Sequence, residues 1–170
     1  MSIVEVCAVS VAGAACLFDL KSARIPNKLT FAAAGLAVIF HAAAPEGQGA
    51  GAALAGLLAG LMVFMPLFAL GAMSAGDVKL MAALGAWLGW QPAIFIALYG
   101  AVAGGVLAVL IASLQGFLAQ TLRNIKALLA YWWVVGIKPM PALTLESKSA
   151  IRLPYALPIA AGLVVTLWTR

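Results

Sequence analysis

The sequence predicts an all-α fold, namely a polytopic membrane helix bundle of about six transmembrane helices. Three observations predict it: 65% of the 170 residues are hydrophobic, only 9% are charged, and the mean hydropathy is +1.11. Such a chain exposes too much apolar surface for a water-soluble globular domain. Unpaired backbone groups are costly in hydrocarbon, and the long apolar runs lack the period-two alternation of barrel strands, so the spanning units are predicted to be helices.

Six apolar segments follow one another along the chain. They cover residues 3–18, 29–44, 50–70, 78–89, 92–114 and 153–168. The fourth is short for a full span, which indicates extension into the interface, local thinning of the bilayer, or deep packing against neighbouring helices. A span needs about 20 residues, so little chain remains for a soluble domain. Residues 1–170 are therefore predicted to form a single integral membrane domain.

The stretch 115–135 differs from these segments because it is amphipathic. Apolar side chains recur there at helical spacing, with polar side chains between them: Leu118, Leu122, Ile125, Leu129 and Trp132 against Gln120, Arg123, Asn124 and Lys126. This pattern predicts an interfacial helix on the cytoplasmic side, with Trp132 and Trp133 as an aromatic anchor at the headgroups.

The positive charges predict the topology. The net charge is +5, but the Lys and Arg residues form short clusters between apolar segments, which does not indicate a nucleic-acid partner. With the N-terminus outside and six alternating segments, nine of the ten positive residues lie inside and only Arg170 lies outside. The nine are Lys21, Arg24, Lys28, Lys79, Arg123, Lys126, Lys138, Lys148 and Arg152. The excess of positive charge in cytoplasmic loops then places Asp19 and Asp77 on the cytoplasmic side.

Cysteine and histidine give no sign of a metal or redox site. Cys7 and Cys16 would lie about 13.5 Å apart along one helix, too far for a disulfide, and the sequence has no Cys-x-x-Cys pair. His41 falls on the predicted outer side, and we assign it no catalytic part. Three glycine pairs, by contrast, predict close helix packing: Gly56 with Gly60, Gly85 with Gly89, and Gly100 with Gly104.

Two of the five acidic residues, Asp19 and Asp77, adjoin apolar helices on the predicted inner side. A carboxylate near hydrocarbon loses hydration, so such a residue is expected to have a function and an interacting partner. Each of these aspartates is the expected partner of the other. The alternative is that both are solvated helix-end residues, with Asp77 stabilising the free N–H groups at the start of its helix.

The surroundings of both aspartates favour the functional interpretation. Residues 18–27 read FDLKSARIPN and resemble the first aspartate motif of type IV prepilin leader peptidases, which is Asp, five residues, Ile-Pro-Asn. Residues 74–80 read SAGDVKL and resemble the Gly-x-Gly-Asp-Val-Lys-Leu motif of the same family, with Ser74 in place of the first glycine. Residues 152–160 read RLPYALPIA and resemble its final, Pro-Tyr-Ala-containing helix. The chain lacks the cysteine-rich segment of larger members, so it resembles the short, peptidase-only branch that serves tight-adherence (Flp) pili.

This resemblance implies an aspartic endopeptidase that removes the leader peptide of prepilins or pseudopilins. It implies a multi-pass protein of the bacterial cytoplasmic (inner) membrane, with the active site on the cytoplasmic side and the pilus or secretion assembly machinery as partners. Asp19 and Asp77 are the implied catalytic pair, with no metal and no cofactor. The supporting residues are Gly76, Lys79, Ser74, Pro26 and Asn27.

Each supporting residue has an expected contribution. Gly76 lets the backbone beside Asp77 approach a partner helix or an extended substrate. Lys79 biases the ionisation of the acidic pair, contacts a phospholipid, or only marks the inner side. Pro26 ends the first motif, and Asn27 caps the following helix.

Three alternatives stay open. A presenilin or signal peptide peptidase relative would carry a Tyr-Asp pair deep within a helix, whereas Asp19 follows Phe18 at a helix end. Archaeal preflagellin peptidases are closer in mechanism, and the residues do not separate their substrates from prepilins. A non-enzymatic transporter or secretion-assembly subunit would use the aspartates to move ions or protons, but transport favours acidic residues near the bilayer midplane.

Overall fold

The computed structural model describes residues 1–140, 143–144 and 153–169. Lys148, Arg152 and Arg170 of the predicted topology lie outside these residues. The described chain forms seven α-helices and no strand, which confirms the predicted all-α class. The helices are α1 Ile3–Ser22, α2 Asn27–Ala43, α3 Ala50–Ala69, α4 Ala75–Leu88, α5 Trp90–Leu114, α6 Leu118–Val135 and α7 Ala156–Trp168.

Three of the described helices, α1, α3 and α5, are long and apolar enough to cross a membrane. They have 20, 20 and 25 residues, and 20 residues span about 30 Å, the thickness of the hydrocarbon core. Helices α2 and α7 are apolar but shorter. Outward side chains of α2, α5 and α7, such as Leu36, Val102 and Val164, are apolar and exposed. This exterior is suited to lipid, while the number of six spans stays a prediction.

Helix α4 forms the centre of the bundle. It contacts α1, α2, α3, α5 and α7, and it buries 11 of its 14 residues. Of the three explanations for the short fourth segment, the structure shows deep packing, and it also extends the helix through Gly76 and Asp77 to begin at Ala75. A helix of about 21 Å is long enough here because its neighbours, rather than lipid, surround most of its length.

Glycines let the helix backbones touch. A Cβ on Gly56 of α3 would overlap the Gly85 carbonyl of α4, and a Cβ on Gly60 would overlap the Met81 carbonyl. Gly100 of α5 lies less close to α7, where a Cβ would be 3.3 Å from the Pro158 carbonyl oxygen. The predicted packing role is thus present at these positions. Gly89 differs, because it joins α4 to α5 with φ at 91°, a value that favours glycine.

Helix α6 lies apart from the bundle core. It buries none of its residues and packs against α5. Leu122, Ile125 and Leu129 are exposed along one side, while Arg123 donates a 2.8 Å hydrogen bond to Gln120 on the other. The predicted amphipathic helix is therefore present, and its cytoplasmic placement stays a prediction.

Cys7 and Cys16 are free thiols in α1.

The contact between α3 and α4 gives a matched test of packing. Gly56→Ala adds a methyl group against the Gly85 carbonyl, so it should destabilise the bundle by about 1–3 kcal/mol, the usual cost of overpacking. Gly51→Ala, on the same helix with nothing within 4 Å of the added atom, should stabilise it by up to ~1 kcal/mol through helix propensity. Thermal unfolding in detergent, followed by circular dichroism, measures both. A Gly56→Ala variant as stable as Gly51→Ala would contradict the packing.

Candidate active site

The bundle brings Asp19 and Asp77 into one cavity. Asp19 lies in the last turn of α1 and Asp77 in the first turn of α4, so both occupy the same end of the bundle. Together they line a cavity of about 900 Å³. Its other walls are the segments 23–27, 72–76 and 153–155, together with Leu20 and Phe68. Two carboxyl groups that are 58 positions apart in the sequence thus share one water-accessible space.

Asp77 is held by a capping box at the start of α4. Ser74 is the N-cap residue, and its hydroxyl donates to Asp77 Oδ2 over 2.8 Å. The Ser74 amide donates to the same oxygen over 3.1 Å, and the Asp77 amide donates back to Ser74 Oγ over 3.4 Å. Oδ1 makes no hydrogen bond among the described residues. The carboxyl group is therefore fixed through one oxygen, while the other is available to a ligand.

Burial and charge set the protonation of Asp77. Asp77 is only 5% exposed, although it precedes the predicted apolar segment 78–89 in the sequence. Burial raises the pKa of Asp77 above its ordinary value, and the negative charge of Asp19 raises it further. The two Ser74 hydrogen bonds favour the charged form and lower this pKa, but the net shift is upward. Asp77 consequently holds a proton to higher pH than an ordinary aspartate.

Asp19 has a different environment. Its side chain is half-exposed, and Oδ2 accepts a 3.1 Å hydrogen bond from the Ala156 amide at the start of α7. Helix α1 continues to Ser22, and Ala23 ends it with φ at 49°. Asp19 is thus supported from both sides, by its own helix and by the first turn of another.

Ser74 does more than replace the first glycine of the family motif. Its φ of −83° and ψ of 153° are ordinary extended values, so this position needs no glycine in the present chain. Its hydroxyl instead supplies the N-cap and a hydrogen bond to the carboxyl group. The pattern Ser-x-x-Asp ahead of an apolar run was the available signal for this role, since it is a variant of the capping box.

Gly76 allows the loop after α1 to approach α4. A Cβ at Gly76 would lie 3.2 Å from the Ile25 Cβ atom and 3.3 Å from Ser74 Oγ. The close neighbour at Gly76 is therefore the loop residue Ile25, whereas the sequence predicted a partner helix or an extended substrate. The approach of a substrate at Gly76 stays a prediction.

Pro26, Asn27 and Lys79 connect α2 to α4. Pro26 is the N-cap residue of α2, in keeping with a chain break after the first motif. The predicted cap by Asn27 is wrong: Asn27 is the first helical residue, and its Oδ1 accepts a 2.8 Å hydrogen bond from Lys79 Nζ. Lys79 also lies 5.3 Å from the centre of the Phe31 ring. These contacts give Lys79 a role in joining the two helices.

His41 lies at the other end of α4. It is buried, its Nε2 is 3.0 Å from the Trp87 carbonyl oxygen, and its Nδ1 accepts from the Gln48 amide over 3.2 Å. These contacts tie the loop after α2 to the last turn of α4. The described residues contain no group of three or more His, Cys, Asp or Glu side chains that could hold a metal ion.

Tyr155 and Ala156 are site residues that the motif comparison did not single out. Tyr155 lines the cavity, and the Ala156 amide donates a hydrogen bond to Asp19. The only sequence signal was the Pro-Tyr-Ala run at the start of the last apolar segment. Its relation to Asp19, 137 positions earlier, is tertiary and is visible only in the folded bundle.

Ser74→Ala tests how Asp77 is held. Loss of the hydroxyl removes a hydrogen bond that lowers the pKa of Asp77, so this pKa should rise further, and loss of the N-cap should cost about 1 kcal/mol of stability. The chain has only two aspartates, so [¹³C]Asp labelling gives two carboxyl NMR signals, and Asp19→Asn assigns them. Ser10→Ala, whose hydroxyl bonds within α1, is the control. An unchanged or lowered pKa of Asp77 in Ser74→Ala would refute this role.

Comparison with known proteins identifies the family. Residues 6–109 match the Type IV leader peptidase family, a match that covers more than half of the chain and includes both aspartate motifs. No curated protein and no solved structure matches the chain. The resemblance seen in the two motifs is confirmed by this match, and the chain belongs to the type IV leader peptidase family.

Proposed function

We propose that this membrane peptidase is an aspartic endopeptidase that removes the leader of Flp-type prepilins or pseudopilins, with Asp19 and Asp77 as its catalytic pair. Membership of the type IV leader peptidase family makes the chain a peptidase. The shared cavity is the observation that supports Asp19 and Asp77 as the catalytic pair, because both residues line one substrate-sized space. Its volume lies within the range usual for ligand pockets.

The unequal environments of the two carboxyl groups suggest their roles. Burial raises the pKa of Asp77, which makes it the proton donor, while half-exposed Asp19 acts as the base. Two carboxyl groups in unequal surroundings can divide the acid and base roles in this way.

Hydrolysis then proceeds without a covalent intermediate. Asp19 takes a proton from water, the water oxygen attacks the scissile carbonyl carbon, and Asp77 gives its proton to the carbonyl oxygen. As the tetrahedral intermediate collapses, the C–N bond breaks, a hydroxyl proton returns to Asp77, and Asp19 passes its proton to the leaving amine. Both carboxyl groups end in their starting states. Since Asp77 must begin protonated, activity is expected to fall as pH rises through its pKa.

Charge near the cavity supports a cytoplasmic active site. Lys21, Arg24 and Lys28 follow Asp19 closely, and Lys79 follows Asp77, so four positive residues cluster at the end of the bundle that holds the cavity. Positive residues next to membrane helices favour the cytoplasmic side. We therefore place the cavity at the cytoplasmic face of the bacterial inner membrane, where leader peptides of the pilus or secretion assembly machinery are accessible.

The geometry gives less support to a transporter or assembly subunit. Such a protein would use acidic groups near the midplane, commonly at broken helices. Asp19 and Asp77 instead lie at one end of the bundle, in the last and first turns of continuous helices.

Asp19→Asn and Asp77→Asn should each reduce cleavage by about 10²–10⁴-fold, the usual contribution of a general acid or base, while leaving a folded protein. The assay co-expresses the full chain with an epitope-tagged Flp-type prepilin and follows the loss of the leader on a gel and by mass spectrometry. Glu5→Gln and Glu46→Gln are matched controls, because both remove a carboxylate outside the cavity.

The outcomes separate the two functions. Cleavage by the parent chain that persists in both aspartate variants would rule out the catalytic pair. A parent chain that leaves a processable prepilin intact would count against the peptidase and in favour of the transporter or assembly subunit.

A further inference from the structure

The first turn of α7 enters the active-site cavity from outside the family match. The match ends at residue 109, whereas α7 is Ala156–Trp168. The Ala156 amide donates to Asp19 Oδ2 over 3.1 Å, and Leu153, Pro154 and Tyr155 line the cavity. A segment that the family match does not include therefore contacts one aspartate directly and forms a wall beside the other.

The Tyr155 ring is held in place by two other helices. It meets the Phe64 ring of α3 edge-on, with centroids 6.2 Å apart and planes at 72°. On another side it lies against Gly104 of α5, where an added Cβ would be 2.9 Å from the Tyr155 Cε2 atom. The absence of a side chain at Gly104 is what makes room for the ring. Tyr155 is thus fixed by packing rather than free to turn away from the cavity.

The Tyr155 hydroxyl is a hydrogen-bond donor that the described part of the chain leaves without a hydrogen-bond partner. A half-buried phenol normally finds one. A phenol keeps its proton at neutral pH, so the hydroxyl remains a donor. Because Tyr155 lines the cavity that holds both aspartates, this neutral donor is suited to a carbonyl oxygen of the bound substrate.

We propose that the start of α7 completes the catalytic site: the Ala156 amide positions Asp19, and the Tyr155 hydroxyl donates a hydrogen bond to the substrate carbonyl oxygen at the scissile bond. The inference rests on the proposed peptidase reaction. As water attacks, negative charge develops on that oxygen, and a donor already in place stabilises it without reorganisation. Asp77 transfers its proton to the same oxygen, so the phenol acts beside it as a second donor.

Tyr155→Phe is the direct test because it removes the hydroxyl and keeps the ring between Phe64 and Gly104. Loss of one such donor commonly lowers kcat by about 10²–10³-fold, and KM should stay within a few-fold because the bond strengthens in the transition state. The full chain in lipid nanodiscs is assayed with an epitope-tagged Flp-type prepilin. Tyr99→Phe, on α5 and outside this cavity, is the control and should match the parent chain.

The kinetic outcomes distinguish this inference from the proposed function. If the parent chain and Tyr99→Phe cleave the prepilin and Tyr155→Phe keeps kcat within threefold, the phenol has no catalytic part and the proposal is overturned. If the parent chain does not cleave it, the proposed function fails, and the inference fails with it.

A second experiment tests the Ala156 contact without any substrate. Tyr155–Ala156 is the only Tyr-Ala pair in the sequence, so [¹³C′]Tyr and [¹⁵N]Ala labelling gives one HNCO signal, that of the Ala156 amide. Asp19→Ala removes the acceptor and should move this signal upfield in the proton dimension, whereas Glu46→Gln should leave it in place. A signal that is unchanged in Asp19→Ala would refute the positioning role, whatever the prepilin assay gives.

Discussion

Burial of one carboxyl group on a central helix is the constraint on which the rest of this structure depends. Asp77 lies on α4, which five other helices contact, and a buried acid must be neutral or well hydrogen-bonded. The protein supplies both conditions, through the Ser74 capping box and through a pKa raised by burial. Close approach of α3 at Gly56 keeps α4 enclosed. The packing of the bundle and the raised pKa of Asp77 therefore have a common cause.

The second carboxyl group, that of Asp19, lies in different surroundings. Asp19 is half-exposed and receives a hydrogen bond from a backbone amide of α7. Two aspartates in unequal surroundings can divide acid and base work within one cavity. The unequal surroundings arise from three helices that meet at one end of the bundle, α1, α4 and α7, and not from the two motifs alone.

Much of this could be predicted from the sequence because it depends on local patterns. Apolar runs predicted the helices to within a few residues, glycine spacing predicted close packing of helices, and two short motifs predicted the family. Predictions failed where a side chain had competing partners: Asn27 accepts a hydrogen bond from Lys79 instead of capping α2. The contact of Ala156 with Asp19 could not be predicted, since it depends on the packing of α7 against α1. A single sequence records such a long-range contact only weakly.

We propose that Asp19 and Asp77 activate water directly at the scissile carbonyl. A single turnover in H₂¹⁸O, with the full chain in excess over a tagged Flp-type prepilin, tests this mechanism by mass spectrometry of the released leader and of the two aspartates. Direct attack by water should place one ¹⁸O atom in the new leader carboxyl group and none in Asp19 or Asp77. An unlabelled leader carboxyl group in the first turnover, with its oxygen taken from an aspartate, would contradict it.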